Sequence, residues 1–346
     1  IGYFDIQTVQ DDNGFYLPVK IELREDFTET VSVASNYVSE KENEYDVTYD
    51  TLTLSQAGQD LNYGFFFTTF ENVELNLNAD VANKANITVA DTKYIEDLVI
   101  NTGSAADEIN YNNAAPLKTL DINTFAGADT TNVAAGNTAN FSLETGAGED
   151  KVTLTDLFGN VSVNTGVDSD EITLNDENVD SSAVDSTITI DGGEGGDNYT
   201  MTVAASAIGG SLINIKDTGL TGEDRLLYKG SSQADLIQLD TINDRSLVTY
   251  SSFGSKLGNR FEGLLISHFG NASASYGQVD VNDENALMAV DVSVLSAPSN
   301  YQIVNYSSVE KTTIHTGDGN DKIVSDDTAQ EIDIFGGAGD DEFYIG

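Results

Sequence analysis

The chain of 346 residues has no cysteine and no tryptophan, and it has only 3 prolines and 2 histidines. Without cysteine, disulfides contribute nothing to its stability. With so few histidines, the sequence offers no His-rich metal cluster and no Ser-His-Asp arrangement for nucleophilic catalysis. No run of 18 apolar residues is present, so no segment is predicted to span a membrane. Abundant asparagine and aspartate favour many turns and stacked strands over a large globular enzyme core.

Positive charge is also scarce. The 15 lysines and arginines face 58 aspartates and glutamates, which gives a net charge of −43. Nucleic acid and anionic membranes are poor partners for such a surface. A compact chain with this charge repels itself strongly, so the composition predicts bound cations.

Glycine-rich turns that end in aspartate are the feature that organises the chain. The clearest copies are residues 316–321 (Thr-Gly-Asp-Gly-Asn-Asp) and 336–341 (Gly-Gly-Ala-Gly-Asp-Asp), and further copies lie at 145–150, 165–170 and 192–197. A short strand of alternating polarity follows each copy. Glycine supplies the positive φ of such turns, and aspartate adds an anionic oxygen. Carbonyl and carboxylate oxygens are the ligands that calcium prefers.

We therefore predict that these turns bind Ca²⁺. The first-rank ligands are Asp150, Asp170, Asp321 and Asp341, and the second-rank ligands are Asp107, Asp129, Asp197 and Asp235. The turn glycines that let carbonyls approach the ion are Gly146, Gly148, Gly193, Gly195, Gly317, Gly319, Gly337 and Gly339. Asp318 and Asp340 are further candidates, either as ligands or as solvated side chains. The alternative is ordinary turn chemistry without an ion, because glycine and aspartate are favoured in turns anyway.

The turns recur at a nearly fixed period, which is the signature of a repeat architecture. Glycines at 103, 146, 166 and 193, with Phe125 in the slot between the first two, are 22, 21, 20 and 27 residues apart. The final pair, 317 and 337, is separated by 20. A coil of this length holds two short strands and two turns. We expect an all-β, right-handed parallel β-helix or β-roll, a solenoid of about 20-residue coils with calcium-binding turns along one edge.

The regularity divides the chain into four parts. Residues 1–65 contain short alternating strands, either upstream rungs of the solenoid or a small β-sandwich. Residues 66–215 are predicted to form a regular β-helix, 216–308 irregular rungs with inserts, and 309–346 the cleanest calcium-binding rungs. Residues 286–290 are expected to form a short helical or capping insert.

Residues 336–344 match in full the nonapeptide Gly-Gly-x-Gly-x-Asp-x-apolar-x, and 316–324 and 145–153 differ from it only at the first glycine. At these residues the chain resembles the repeats-in-toxin (RTX) family of secreted bacterial proteins. The resemblance covers about residues 95–346 and implies a parallel β-roll whose stacked turns hold calcium between neighbours. The motif here recurs about every 20 residues and not every nine. The looser rungs resemble those of very large bacterial surface and S-layer-like proteins.

These features predict a structural protein and not an enzyme. We expect a calcium-stabilised solenoid on the bacterial cell surface or outside the cell, as an S-layer element, fibre or adhesin stalk cut from a longer chain. Its expected partners are calcium ions, other copies in a filament or lattice, and cell-surface polysaccharide. The alternative is a carbohydrate-active β-helix enzyme or polysaccharide-binding module, which a pocket lined by Lys, Arg or Tyr near 240–306 would favour.

Overall fold

The computed structural model describes the following residues: 4–7, 19–23, 29–39, 46–56, 62–67, 72–76, 84–90, 92, 95–113, 115–136, 138–157, 159–176, 187–203, 210–232, 235–242, 245–252, 301–325 and 331–345. Every regular element in these ranges is a β-strand. Accordingly, the described part of the chain contains no helix that could cross a membrane. The insert expected at 286–290 lies outside the described residues.

The chain forms two compact units, one of residues Ile1–Leu154 and Val163–Glu171, the other of Thr155–Ser162 and Ile172–Gly346. The first unit contains β1 (Phe4–Gln7), β2 (Val19–Leu23), β3 (Glu29–Ser39), β4 (Asp46–Gln56), β5 (Asn62–Phe67), β6 (Asn72–Asn76), β7 (Ala85–Val89), β8 (Asp97–Asn101), β9 (Glu108–Asn112), β10 (Leu117–Asn123), β11 (Thr130–Ala134) and β12 (Thr138–Glu144). Strands β13 (Lys151–Thr155), β14 (Asn160–Asn164) and β15 (Glu171–Asp176) have residues in both units.

The first unit is built from two sheets, in the orders β1-β2-β6-β8-β10-β12 and β5-β4-β3-β7-β9-β11. From β6 onward the chain alternates between the sheets, and strands of successive coils pair in parallel. Crossovers between parallel strands of one sheet are right-handed. The predicted fold class, a right-handed parallel β-solenoid, is confirmed, with coils 20 to 22 residues apart.

The strands before β6 extend the same two sheets. β2 pairs in parallel with β6, and β3 pairs in parallel with β7. The remaining strands β1, β4 and β5 pair antiparallel with their neighbours. Among these strands, β2 and β3 therefore continue the parallel stacking of the solenoid, and β1, β4 and β5 add antiparallel strands to its sheets.

The interior consists of columns of apolar side chains, because alternate residues of each short strand face inward. The register aligns Leu75, Ile100, Ile122 and Leu143 in one column of the first sheet, all of them buried. Ile87 and Ile109 align in the second sheet. Burying one such side chain contributes about 1.5–3 kcal/mol. No coil covers its own interior face, so stability depends on contacts between neighbouring coils.

The second unit contains β16 (Thr187–Asp191), β17 (Asn198–Val203), β18 (Gly210–Lys216), β19 (Arg225–Lys229), β20 (Asp235–Ile242), β21 (Arg245–Ser252), β22 (Tyr301–Ser307), β23 (Lys311–His315), β24 (Lys322–Ser325), β25 (Ile332–Phe335) and β26 (Glu342–Ile345). Its sheets have the orders β16-β18-β22-β21-β20-β24-β26 and β17-β19-β23-β25. β21 lies antiparallel between β20 and β22, whereas β18 pairs in parallel with β22, β20 with β24 and β24 with β26. This hairpin interrupts the parallel order within the tract predicted to be irregular.

Candidate metal centre

A column of buried aspartates runs along one edge of the first unit. Each aspartate closes a turn between a strand of the first sheet and a strand of the second. In three successive coils the backbone N–H of the aspartate donates to Oδ1 of the aspartate in the next coil, from Asp107 to Asp129 (2.7 Å), from Asp129 to Asp150 (2.8 Å) and from Asp150 to Asp170 (2.8 Å). All four side chains are buried. The sequence-predicted ligands of this unit are therefore stacked next to one another, and their carboxylates join the coils.

The second unit contains two such columns. In the first, the Asp197 N–H donates to Asp224 Oδ1, and the Asp224 N–H donates to Glu310 Oε2, both at 2.8 Å. In the second, the Asp235 N–H donates to Asp321 Oδ1 (2.8 Å), and the Asp321 N–H donates to Asp341 Oδ1 (3.0 Å).

These two columns lie on opposite edges of the second unit. The turns of the first column follow β16, β18 and β22 of one sheet, and those of the second follow β19, β23 and β25 of the other. From the sequence, all such turns were expected along one edge of the solenoid. The motif identifies only a turn and the strand that follows it, so it does not specify which edge the turn occupies. Either turn of a coil can carry that pattern.

Several column aspartates carry a buried oxygen for which the protein supplies no hydrogen bond. Among the described residues, Oδ2 of Asp129, of Asp150 and of Asp321 is buried without a partner. Burial, with smaller contributions from the neighbouring carboxylates of Asp150 and Asp107, raises the pKa of Asp129 to about 7. Burial also raises the pKa of Asp150 and that of Asp321. A buried carboxylate of this kind must take up a proton or a cation.

Within the described ranges, no lysine or arginine neutralises these buried carboxylates through a salt bridge. The salt bridges found among the described residues join surface side chains, for example Lys84 with Glu108 at 3.2 Å and Lys151 with Glu171 at 2.8 Å. None of them reaches Asp129, Asp150 or Asp321. The negative charge of Asp129, Asp150 and Asp321 is thus left for a proton or an exogenous cation.

The predicted glycines shape the turns. All of them have positive φ, namely Gly146, Gly148, Gly193, Gly195, Gly317, Gly319, Gly337 and Gly339. At Gly148 an added Cβ would overlap the carbonyl oxygen of Gly127 in the preceding coil. The stacked turns also exchange backbone hydrogen bonds, such as Gly127 N–H to the Ala147 carbonyl at 2.7 Å. Glycine is required here for both the dihedral angle and the close approach.

Asp318 and Asp340 stand apart from the columns. Both side chains are exposed on the outer surface of their turns. The Asp318 backbone forms a bridge with Ala338, and the Asp340 N–H donates to Asn320 Oδ1 at 3.0 Å. Their position supports the alternative that these two aspartates are solvated side chains.

Asp197, Asp217 and Asp224 form a cluster that could hold a metal ion. All three are buried, and one carboxylate oxygen of each lies within 4.8 Å of the others. The Tyr199 hydroxyl donates to Asp217 Oδ2 at 2.6 Å and accepts the Gly192 N–H at 2.7 Å. Burial raises the pKa of Asp217, and it raises that of Asp224 to about 7. Three adjacent buried carboxylates strongly disfavour the fully ionised, ion-free state.

Sequence reasoning identified only Asp197 of this cluster. It missed Asp224 because the turn that begins at Asp217 is two residues longer than the regular turns. The tripeptide 222–224 (Gly-Glu-Asp) repeats 148–150 and was the available signal. Sequence reasoning also missed Asp217, which occupies the first position of its turn, where the other turns have threonine or glycine. It missed Glu310 as well, because this glutamate occupies the position that aspartate has in the other turns of the column.

Comparisons with family models, with curated proteins and with solved structures found no match to this chain.

Proposed function

We propose that this chain is a calcium-stabilised structural β-solenoid of a bacterial extracellular or cell-surface protein and that it has no catalytic role. The observation that carries the proposal is that Oδ2 of Asp129, Asp150 and Asp321 is buried without a hydrogen-bond partner. A threonine hydroxyl lies beside each of these carboxylates, but it donates to a backbone carbonyl of the next coil. A divalent cation held at these oxygens would replace repulsion between neighbouring coils with attraction.

The donor chemistry supports calcium. The candidate ligands are carboxylate and backbone carbonyl oxygens, and the chain has no thiolate to offer. Hard oxygen donors suit Ca²⁺ and Mg²⁺, but Mg²⁺ demands near-ideal octahedral geometry and retains several waters. Calcium tolerates the irregular geometry that a turn backbone provides.

The structural role follows from the repeat. Each coil buries its interior only against its neighbours, so a column that joins coils stabilises the whole stack. A net charge of −43 opposes this packing unless cations neutralise part of it. Calcium sites of extracellular modules have Kd values of roughly 10⁻⁴–10⁻³ M, so such a protein folds on meeting calcium outside the cell. S-layer elements, fibres and adhesin stalks are roles of this kind.

The test is thermal unfolding followed by far-UV circular dichroism, in excess chelator and then at increasing calcium. We expect Tm to rise with calcium concentration, because a ligand that binds only the folded state stabilises it by mass action. Magnesium at the same ionic strength is the control for simple charge screening. Identical melts in chelator and in calcium would refute the proposal.

A further inference from the structure

The column aspartates are of two kinds, which differ in what their second carboxylate oxygen contacts. In Asp107, Oδ1 accepts the Ala85 N–H at 2.7 Å, and Oδ2 accepts the N–H of Gly103, the second residue of its own turn, at 3.3 Å. In Asp235, Oδ2 accepts the N–H of Ser231, again the second residue of the turn, and Oδ1 accepts the Ser231 hydroxyl, both at 2.7 Å. Both oxygens of these two carboxylates therefore have protein donors.

Asp150 is different because its turn directs the equivalent N–H elsewhere. Its Oδ1 accepts the Asp129 N–H, but its Oδ2 is buried without a hydrogen-bond partner, because the nearby Thr145 hydroxyl donates to the Thr165 carbonyl at 3.0 Å. Gly146 is the second residue of this turn, and its N–H donates to the Thr165 carbonyl in the next coil at 3.0 Å. The backbone group that would satisfy the carboxylate is thus used to join the coils. Asp129 and Asp321 likewise have a buried Oδ2 without a donor.

We propose that cation binding in the columns is selective among turns: Asp129, Asp150 and Asp321 are ion ligands, whereas Asp107 and Asp235 are hydrogen-bonded structural residues that bind no ion. The physical reason is that N–H donors stabilise the charged form of a carboxylate, as a cation does, so a carboxylate with both oxygens satisfied has little need of one. This inference rests on the proposed function and divides the sequence-predicted ligands into two groups.

Matched substitutions, Asp150→Asn and Asp107→Asn, test the division. Asparagine keeps one oxygen to accept the backbone N–H but replaces the other oxygen with an amide donor. In Asp150→Asn this change removes a buried charge, so the variant should melt in chelator at or above the wild-type temperature. In calcium it should show a smaller rise in Tm and bind at least one ion fewer by isothermal titration calorimetry.

Asp107→Asn should behave in the opposite way. Both oxygens of Asp107 accept N–H groups, so the amide of asparagine must face a donor in either orientation. We expect a lower Tm than wild type in chelator and in calcium, with an unchanged calcium-dependent rise and an unchanged number of bound ions. The pair Asp321→Asn and Asp235→Asn repeats the comparison in the second unit and guards against a variant that fails to fold.

The outcomes separate this inference from the proposed function. If wild-type Tm rises with calcium but Asp150→Asn and Asp321→Asn retain the full rise, the selectivity is wrong and the proposed function stands. Loss of an ion in Asp107→Asn or Asp235→Asn would also overturn the selectivity. A wild-type protein that binds no calcium overturns both proposals together.

Discussion

The backbone N–H of Asp129 donates to Oδ1 of Asp150 at 2.8 Å, and this bond joins two neighbouring coils through a buried carboxylate. The aspartate side chain accordingly satisfies a backbone donor of the preceding coil and brings a negative charge into the turn. The hydrogen bond favours packing of the coils, whereas the buried negative charge opposes it unless a proton or cation is bound.

Stability in excess chelator should fall as pH rises from about 4 to about 7. Burial raises the pKa of Asp129, of Asp170 and of Asp224 to about 7 each, from about 3.9 in an unfolded chain. Between these values the folded protein binds more protons than the unfolded protein, so the free energy of unfolding decreases with pH. The stabilisation is fully present below the unfolded pKa and is lost as pH passes the folded pKa. Urea denaturation at a series of pH values measures the slope.

The same pH series in saturating calcium is the control for that prediction. An ion bound to the ionised carboxylates takes the place of the proton, so calcium should stabilise most at neutral pH and least near pH 4. Stability in chelator that increases with pH across this window would mean that the column carboxylates are ionised without a bound cation.

Gly148→Ala should destabilise the first unit strongly. Gly148 has φ of 132°, and an added Cβ would overlap the Gly127 carbonyl of the preceding coil. Strain and forced separation of the coils should together cost at least about 1–3 kcal/mol. Glu149→Ala changes the adjacent exposed residue and is expected to stay within about 0.5 kcal/mol of wild type. Urea denaturation in calcium compares the two; equal stabilities would show that the stacked turns separate easily.

Thr145→Val should lower stability by about 1 kcal/mol, whereas Thr145→Ser should preserve most of it. The buried Thr145 hydroxyl donates to the Thr165 carbonyl of the next coil at 3.0 Å. Valine has nearly the same shape but cannot donate, and serine retains the hydroxyl. If both variants lose the same stability in urea denaturation, packing of the threonine methyl group and not the hydrogen bond matters at this position.

The sequence was sufficient to predict the solenoid because a local pattern repeats. Phe125 fills the glycine slot of its turn and adopts φ of 65°, so the period identified a turn that composition alone would have missed. The stacking of Asp150 on Asp170 followed from the same period. Repeat spacing determines which residues become neighbours, since successive coils must align to bury their interiors.

The sequence could not predict features that depend on contacts between distant segments. Glu310 accepts the Asp224 N–H from 86 residues along the chain, and no periodic pattern connects them. The antiparallel pairing of β21 with β22 similarly joins strands on either side of residues 253–300. Which carboxylate oxygens remain without a donor depends on single N–H groups, such as that of Gly146, whose direction is not encoded in the motif.

Tyr199→Phe should destabilise the second unit by about 1–3 kcal/mol, because it removes two buried hydrogen bonds of the phenol hydroxyl. The Gly192 N–H loses its acceptor, and Asp217 Oδ2 loses its donor, within the cluster that includes Asp197 and Asp224. Tyr344→Phe is the matched control, since the Tyr344 hydroxyl donates to Glu342 at 2.9 Å on an exposed surface and should matter little. Chemical denaturation in chelator gives both values. If Tyr199→Phe is as stable as Tyr344→Phe, the phenol does not support Asp217, and the cluster is held by its backbone donors alone.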